Sequence, residues 1–144
     1  MKLQRNTVLA LFSVLEFAGE PQRQRSAAEI AAKYGASAHH LAKVLRVLGR
    51  AGMLRAARGA GGGYRFAGNA KRVTLMDVIE RFERIGAPPR ARRRAAERAL
   101  DAVLLEIDET ARATFRSITV ETMLRLSARL APGRMPFRRG DQAG

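Results

Sequence analysis

One short stretch of the chain concentrates side chains that can bind nucleic acid. The segment after Ser37 has the periodicity of a helix. Its polar face carries histidines and cationic side chains, namely His39, His40, Lys43, Arg46 and Arg50. Lysine and arginine bind phosphates, and a histidine can donate to a phosphate or a base edge. The Ser37 hydroxyl and the free N–H groups of the helix start also suit a phosphate. This chemistry indicates binding to DNA.

Two helices and a tight turn are predicted to position these side chains. Ser26 followed by Glu29 is a capping box, and the helix that it starts should end at Gly35. Ser37 is the next N-cap, and its helix should end at Gly52. Apolar residues recur in this second helix at spacings of three and four, namely Leu41, Val44, Leu45 and Leu48. The short glycine-containing turn between the helices is typical of a helix-turn-helix.

A glycine-rich hairpin is predicted to follow the second helix. Strand-length runs at residues 53–57 and 64–67 flank a segment that begins with Arg58 and contains four glycines. Glycine permits a sharp turn and a close approach to another backbone. A flexible linker is the alternative, but the strand signals directly after a helix-turn-helix favour a wing in a DNA minor groove. The candidate wing contacts are Arg58, Gly59, Gly61, Gly62 and Gly63.

The chain as a whole is predicted to be mainly α-helical with a small β wing. A winged helix-turn-helix domain spans residues 1–86, and its first helix, from about Asn6 to Phe17, is predicted to turn one apolar face inward. That face holds Val8, Leu11, Phe12 and Leu15. A further helix, capped by Thr74, should close the core. Residues 87–94 form a Pro/Arg-rich linker, residues 95–130 a long dimerisation helix with a C-terminal helix, and residues 131–144 a disordered tail.

The long helix has an apolar stripe that needs a partner. Its members are Leu100, Val103, Leu104, Ile107, Ala111 and Phe115. A second copy of the chain is the simplest partner, because homodimers are the commonest oligomers. Folding of the stripe back onto its own domain is the alternative.

The charge of the chain favours a polyanionic partner. The 144 residues carry a formal net charge of +14, and residues 1–74 hold 13 Lys or Arg against 3 Asp or Glu. The basic excess therefore lies in the predicted DNA-binding unit. Two other classes remain open: a nucleoid or RNA- or ribosome-associated winged-helix protein without sequence preference, and an interaction adaptor whose long helix binds another protein.

Enzymes and cysteine-held metal sites do not fit the sequence. It contains no cysteine, and its two histidines are adjacent on one helix, where neighbouring side chains point about 100° apart. The glycine-rich segment lacks the Lys-Ser/Thr of a phosphate-binding loop. No run of residues reaches the eighteen or so apolar positions of a membrane span, and no convincing signal peptide is present. We therefore expect a cytoplasmic protein that is not an enzyme and contacts no membrane.

These motifs together resemble the IscR/NsrR family of winged-helix transcriptional regulators, from about Met1 to Leu130. The matching residues are Lys2-Leu3, Ala28-Glu29-Ile30-Ala31, Tyr34-Gly35, His40-Leu41-Ala42-Lys43-Val44, Leu48, Ala51-Gly52-Met53-Leu54, the wing from Arg58 to Tyr64, Val73-Thr74-Leu75, Asp77-Val78-Ile79 and Ile118-Thr119-Val120. The resemblance implies a sequence-specific DNA-binding transcriptional regulator, a repressor, that acts as a homodimer on a pseudo-palindromic promoter site.

The resemblance also implies which residues contact double-stranded DNA, and where this chain departs from the family. The recognition positions are Ser37, Ala38, His39, His40 and Lys43, and the wing positions are those given above. Family members that sense iron, nitric oxide or redox state have cysteines in the segment matching residues 86–100, where this chain has none. We expect no iron–sulfur cluster of that type. A small molecule or a partner protein near the domain junction could supply the signal, or the chain senses nothing.

Overall fold

Six helices and two strands make up the part of the chain that the structure describes. The computed structural model describes residues 1–59, 62–85 and 94–132. Its elements are α1 (Arg5–Gly19), α2 (Ala27–Tyr34), α3 (Ala38–Arg50), β1 (Leu54–Ala56), β2 (Tyr64–Phe66), α4 (Leu75–Ile79), α5 (Ala95–Ser117) and α6 (Val120–Leu130). The predicted mainly α-helical fold with a small β wing is confirmed. Most of the predicted linker, residues 87–93, and of the predicted tail, residues 133–144, lies outside the described residues.

The first three helices and β1 enclose the main apolar core. Helix α3 buries the leucine face predicted for it, and α2 adds Ile30. Helix α1 differs from the prediction, because Val14 and Phe17 are fully buried whereas Phe12 is 39% exposed. Val8, Leu11 and Leu15 are only partly buried. The reason is that α1 packs against α2, α3, α4, α6 and β2, which together cover the face of Ala10, Val14 and Phe17 completely and the predicted face only in part.

A short antiparallel bridge connects the N-terminal unit to the C-terminal helices. Thr74 pairs with Thr119, and the Leu75 N–H donates to the carbonyl of Ile118 at 2.9 Å. The side chain of Phe115, at the end of α5, packs on the cluster that contains Leu75. Helix α4 itself ends at Ile79, and tight turns follow it. The bridge fixes the end of α5 against the core.

One partly buried carboxylate, that of Glu16 in α1, connects three parts of the fold. Its Oε2 accepts from Arg25 at 2.9 Å, and its Oε1 accepts from Lys33 at 2.6 Å and from the Tyr34 hydroxyl at 2.5 Å. Only 13% of the Glu16 side chain is exposed. Arg25 also contacts Glu20 at 2.6 Å. The loop before α2 is thereby tied to both α1 and α2.

The environment of Glu16 shifts two pKa values in opposite directions. Burial alone would raise the pKa of Glu16, but hydrogen bonds from Lys33 and Tyr34 and the charges of Lys33 and Arg25 outweigh it, so the pKa is lowered. Burial, followed by the hydrogen bond and charge of Glu16, raises the pKa of Tyr34 far above its ordinary value. Glu16 is therefore ionised and Tyr34 protonated across the neutral range.

We predict that Glu16→Gln destabilises the protein by about 1.5–3 kcal/mol at neutral pH, because Arg25 and Lys33 lose a charged acceptor. A lowered pKa stabilises the fold above the ordinary value of 4.5, and this contribution is lost as the pH falls through the lowered pKa. Denaturant unfolding of the wild type and of Glu16→Gln should therefore show a difference in the free energy of unfolding that becomes smaller at acidic pH.

The matched control is Glu20→Gln, which removes a carboxylate whose side chain is 56% exposed. It should cost at most about 1 kcal/mol, as exposed ion pairs do. A Glu16→Gln gap that stayed constant from neutral to strongly acidic pH would contradict the role given to the ionised carboxylate.

Candidate nucleic-acid interface

The start of α3 projects most of the predicted recognition residues into solvent. The Ser37 Oγ caps the helix by accepting from the His40 N–H at 3.1 Å, and its own hydroxyl proton remains available to donate. Because the leucine face is buried, the opposite face is turned outward, and Ser37, Ala38, His39 and Lys43 are exposed. The helix start is thus available to a partner.

The two neighbouring histidines have different surroundings. The His39 ring is exposed and has no hydrogen-bond partner among the described residues. The His40 ring is half-buried, and its Nε2 lies 2.6 Å from the Oδ1 of Asn6, near the start of α1. From the sequence, the two histidines were predicted to be equivalent hydrogen-bond donors. In the structure, only His40 contacts α1.

The wing is a two-stranded antiparallel sheet extended by a third, single-residue pairing. Leu54 lies opposite Phe66 and Ala56 opposite Tyr64. On the other side of β2, Arg25 pairs with Tyr64 through two backbone hydrogen bonds of 2.9 and 3.0 Å. A single paired residue leaves no strand-length pattern in the sequence, so this neighbour of β2 is visible only in the structure.

Two glycines of the wing segment have structural reasons to be glycine. Gly63 has a φ of +140°, and a Cβ placed there would lie 2.5 Å from the carbonyl oxygen of Arg25. Gly62 has a φ of +65° with open space around it, and its carbonyl accepts from the Gln24 side chain at 2.9 Å. Gly59 is exposed, and Gly61 lies outside the described residues.

Six cationic side chains of α3 and the wing have no ion pair within the described residues. They are Lys43, Arg46 and Arg50 of α3, Arg55 and Arg65 of the strands, and Arg58 at the beginning of the glycine-rich segment. All six are exposed. Cations without carboxylate partners are free to neutralise phosphates.

Arg55 and Arg65 were not among the predicted contacts, yet they lie directly opposite each other across the strands. Like charges in this position destabilise a sheet in the absence of an anion. The sequence contains a signal for them, because Arg55 follows the buried Leu54 and Arg65 stands between the half-buried Tyr64 and Phe66, as the two-residue period of a strand requires. Once the strands are paired, this period places both arginines on the outer face.

The predicted dimerisation stripe is divided between two environments. Leu100, Val103, Leu104 and Ile107 are 59%, 54%, 48% and 55% exposed, and α5 has no buried residue. Ala111 is half-buried, and Phe115 packs against α4 of its own chain. An apolar groove of about 590 Å³ runs along α5 between these two groups. Only the C-terminal end of the stripe therefore packs against the rest of the same chain.

Similarity to known proteins agrees with this architecture. A family model described as "Rrf2: Iron-dependent Transcriptional regulator" matches residues 3–126. The chain is 49% identical over 129 residues to BadM of Rhodopseudomonas palustris, assigned as an HTH-type transcriptional regulator, and the match covers 88% of this chain and 83% of BadM.

Solved structures share the fold. The CymR regulator of B. subtilis has a TM-score of 0.73 at 24% identity, covering 88% of this chain and 98% of CymR. IscR of T. potens has a TM-score of 0.65 at 27% identity, covering 92% of this chain and 94% of IscR. In the described ranges, none of the helices combines the length and apolar character needed to cross a bilayer.

The word iron in the family description raises the question of which residues here could hold that metal. The chain has no cysteine thiolate and only two histidines, one of which is bonded to Asn6. Within the described ranges, no three His, Asp or Glu side chains converge as a metal site would require. The residues present do not fit a thiolate-held iron cluster.

We predict that Gly63→Ala destabilises the protein more than Gly62→Ala does. Both changes place a side chain at positive φ, which costs about 1–2 kcal/mol, but only Gly63→Ala drives a methyl group into the Arg25 carbonyl. The added cost should be about 1–3 kcal/mol. Denaturant unfolding measures the difference, and faster hydrogen exchange at the Tyr64 amide should accompany it. Equal losses in the two variants would count against the close approach of Gly63 to Arg25.

Proposed function

Since the chain belongs to the Rrf2 family of transcriptional regulators, we propose that it is a sequence-specific DNA-binding repressor that acts as a homodimer on a pseudo-palindromic promoter site. One observation carries the proposal. Along α3 and the wing, beside an exposed helix start, lie six exposed cations that have no ion pair among the described residues, as expected of a surface that binds duplex DNA.

We assign separate tasks to the helix and the wing. The first turn of α3 enters the major groove, where Ser37, Ala38, His39, His40 and Lys43 meet base edges and the nearest phosphates. The wing, with Arg58 and its glycines, reaches the flanking minor groove. The exposed arginines of α3 and the strands contact phosphates beside the site, which fixes the register of the protein on the duplex.

A homodimer is the occupant that suits the exposed stripe of α5. Four large apolar side chains that are 48–59% exposed form one continuous face, and such faces mark interaction sites. A second copy offers the same face, so an isologous pairing would bury both stripes at once. The dimer presents two copies of α3, and this symmetry is the reason for proposing a pseudo-palindromic site.

Repression is the simplest result of such binding, because a dimer seated on promoter DNA excludes other proteins from it. We further propose that the protein acts in the cytoplasm, has no catalytic role and regulates without an iron–sulfur cluster of its own. The signal would then be a small molecule or a partner protein that acts near the junction of α4 and α5.

The test is selection of genomic fragments by the purified full-length protein at near-physiological salt, followed by sequencing of the retained DNA. We expect enrichment of one inverted-repeat motif in promoter regions. Random duplexes of equal length are the control, because a basic protein retains some of any DNA. Uniform retention of genomic and random fragments would favour a nucleoid or RNA-binding protein, and transcription in vitro from an enriched promoter separates repression from activation.

We predict that Ile107→Glu converts the dimer to a monomer, because a carboxylate in the stripe would be buried without a partner. Analytical ultracentrifugation should show the change, and affinity for the enriched motif should fall by at least about tenfold as the second half-site contact is lost. The matched control is Ala102→Glu, which places the same charge on the exposed opposite face of α5. If the wild-type protein sediments as a monomer on its own and on DNA, the homodimer is wrong.

A further inference from the structure

We infer that Asn6 is a positioning residue for base recognition, because its amide oxygen fixes the proton of His40 on Nε2 and leaves Nδ1 as a hydrogen-bond acceptor for DNA. The inference rests on the proposed function and deepens it. It gives His40 a partner class, the amino groups of adenine and cytosine, that differs from the class open to His39.

The contact between α1 and α3 determines which nitrogen of His40 carries the proton. The Asn6 Oδ1 lies 2.6 Å from Nε2 of His40, and an amide oxygen can only accept. A neutral imidazole has one N–H and one bare nitrogen, so Nε2 must donate and Nδ1 must be bare. Nδ1 has no partner among the described residues.

Asn6 can serve as a fixed reference because the first turn of α1 is itself held in place. The Glu83 carboxylate accepts from the Gln4 N–H and, at 2.8 Å, from the Thr7 hydroxyl. The Thr7 side chain is fully buried. Asn6 therefore lies on a turn that Glu83, a residue after α4, holds in place. The Asn6 side-chain amide contacts the His40 ring from this fixed position.

The bare nitrogen restricts what His40 can recognise. Phosphate oxygens are acceptors, so Nδ1 of neutral His40 cannot bond to them. In the major groove, the donors on base edges are the N6 amino group of adenine and the N4 amino group of cytosine. His40 is the third residue of α3, within the turn that contacts bases when a recognition helix docks. His39 has no partner among the described residues that would fix its proton, so its ring can donate to a phosphate or to guanine.

The protonation state is measured by long-range ¹H–¹⁵N correlation spectra of the ¹⁵N-labelled full chain at about pH 8, where histidine is neutral. The chain has only two histidines, so His39 is an internal control. We expect His40 to show a fixed Nε2–H form and His39 an average of both forms. Asn6→Ala should release His40 to the average, whereas Asn6→Asp, which keeps an acceptor, should preserve the fixed form.

The recognition role is measured by selection from a library with randomised half-sites. The wild-type protein should prefer adenine or cytosine at one position in each half-site, and Asn6→Ala should weaken that preference about tenfold while leaving the other positions unchanged. Because Asn6 is proposed to act through His40, the double variant Asn6→Ala/His40→Ala should show no weaker base preference at that position than His40→Ala alone. Thermal unfolding of Asn6→Ala within a few degrees of wild type shows that the fold is retained.

Three results overturn the inference, and they can be told apart from failure of the proposed function. A fixed Nδ1–H form of His40 would show that the Asn6 amide faces the other way. An unchanged base preference in Asn6→Ala, or an equal loss at every position, would remove Asn6 from recognition. Each of these can occur while the wild-type protein still selects a motif, whereas a wild-type protein that selects none refutes the proposed function as well as the base contact.

Discussion

The wing depends on one residue that lies far from it in the chain. The backbone of Arg25 pairs with Tyr64 on the open side of β2, and the guanidinium of Arg25 binds Glu16 of α1. A two-stranded hairpin alone is at best marginally stable in water. The added pairing gives β2 a second neighbour, and the ion pair connects that neighbour to the main core. Only a glycine at position 63 allows the approach, since any Cβ there would strike the Arg25 carbonyl. The glycine-rich segment thus has a structural role beside any contact with DNA.

Charges in the N-terminal unit are divided between scaffold and surface. Glu16, Glu20 and Glu83 accept from side chains or backbone within the fold. The cations near α3 and the wing have no such partners in the described ranges, and two of them, Arg55 and Arg65, face each other across the sheet. An arrangement that costs free energy in the isolated protein is relieved when phosphates enter. This distribution explains how a modest number of carboxylates can serve the fold without neutralising the interface.

Local signals in the sequence predicted most of the fold, and contacts between distant residues account for what it missed. The side-chain caps at Ser26, Ser37 and Thr74 are all present, because each cap depends on residues three positions apart. The buried face of α1 was wrong, since five other elements cover that helix and its polar residues are satisfied inside. The contact of Asn6 with His40 spans 34 positions and leaves no periodic trace. The candidate site was therefore predicted as a set of exposed residues, but not as a set of contacts.

The orientation of α5 relative to the N-terminal unit is set by a few contacts at one end of the helix. The bridge of Thr74 with Thr119 and the packing of Phe115 hold the end of this helix against α4, while its apolar residues from Leu100 to Ile107 stay exposed. Helix α5 is therefore fixed at its C-terminal end and has an exposed apolar stripe over the rest of its length, as an arm that pairs with a second copy of itself would need. If two arms pair, the separation of the two α3 helices follows from the anchor, and half-site spacing in a dimeric reader is set by that separation. The bridge would then bear on DNA recognition without touching DNA, because a shift at Thr74 would move one α3 relative to the other.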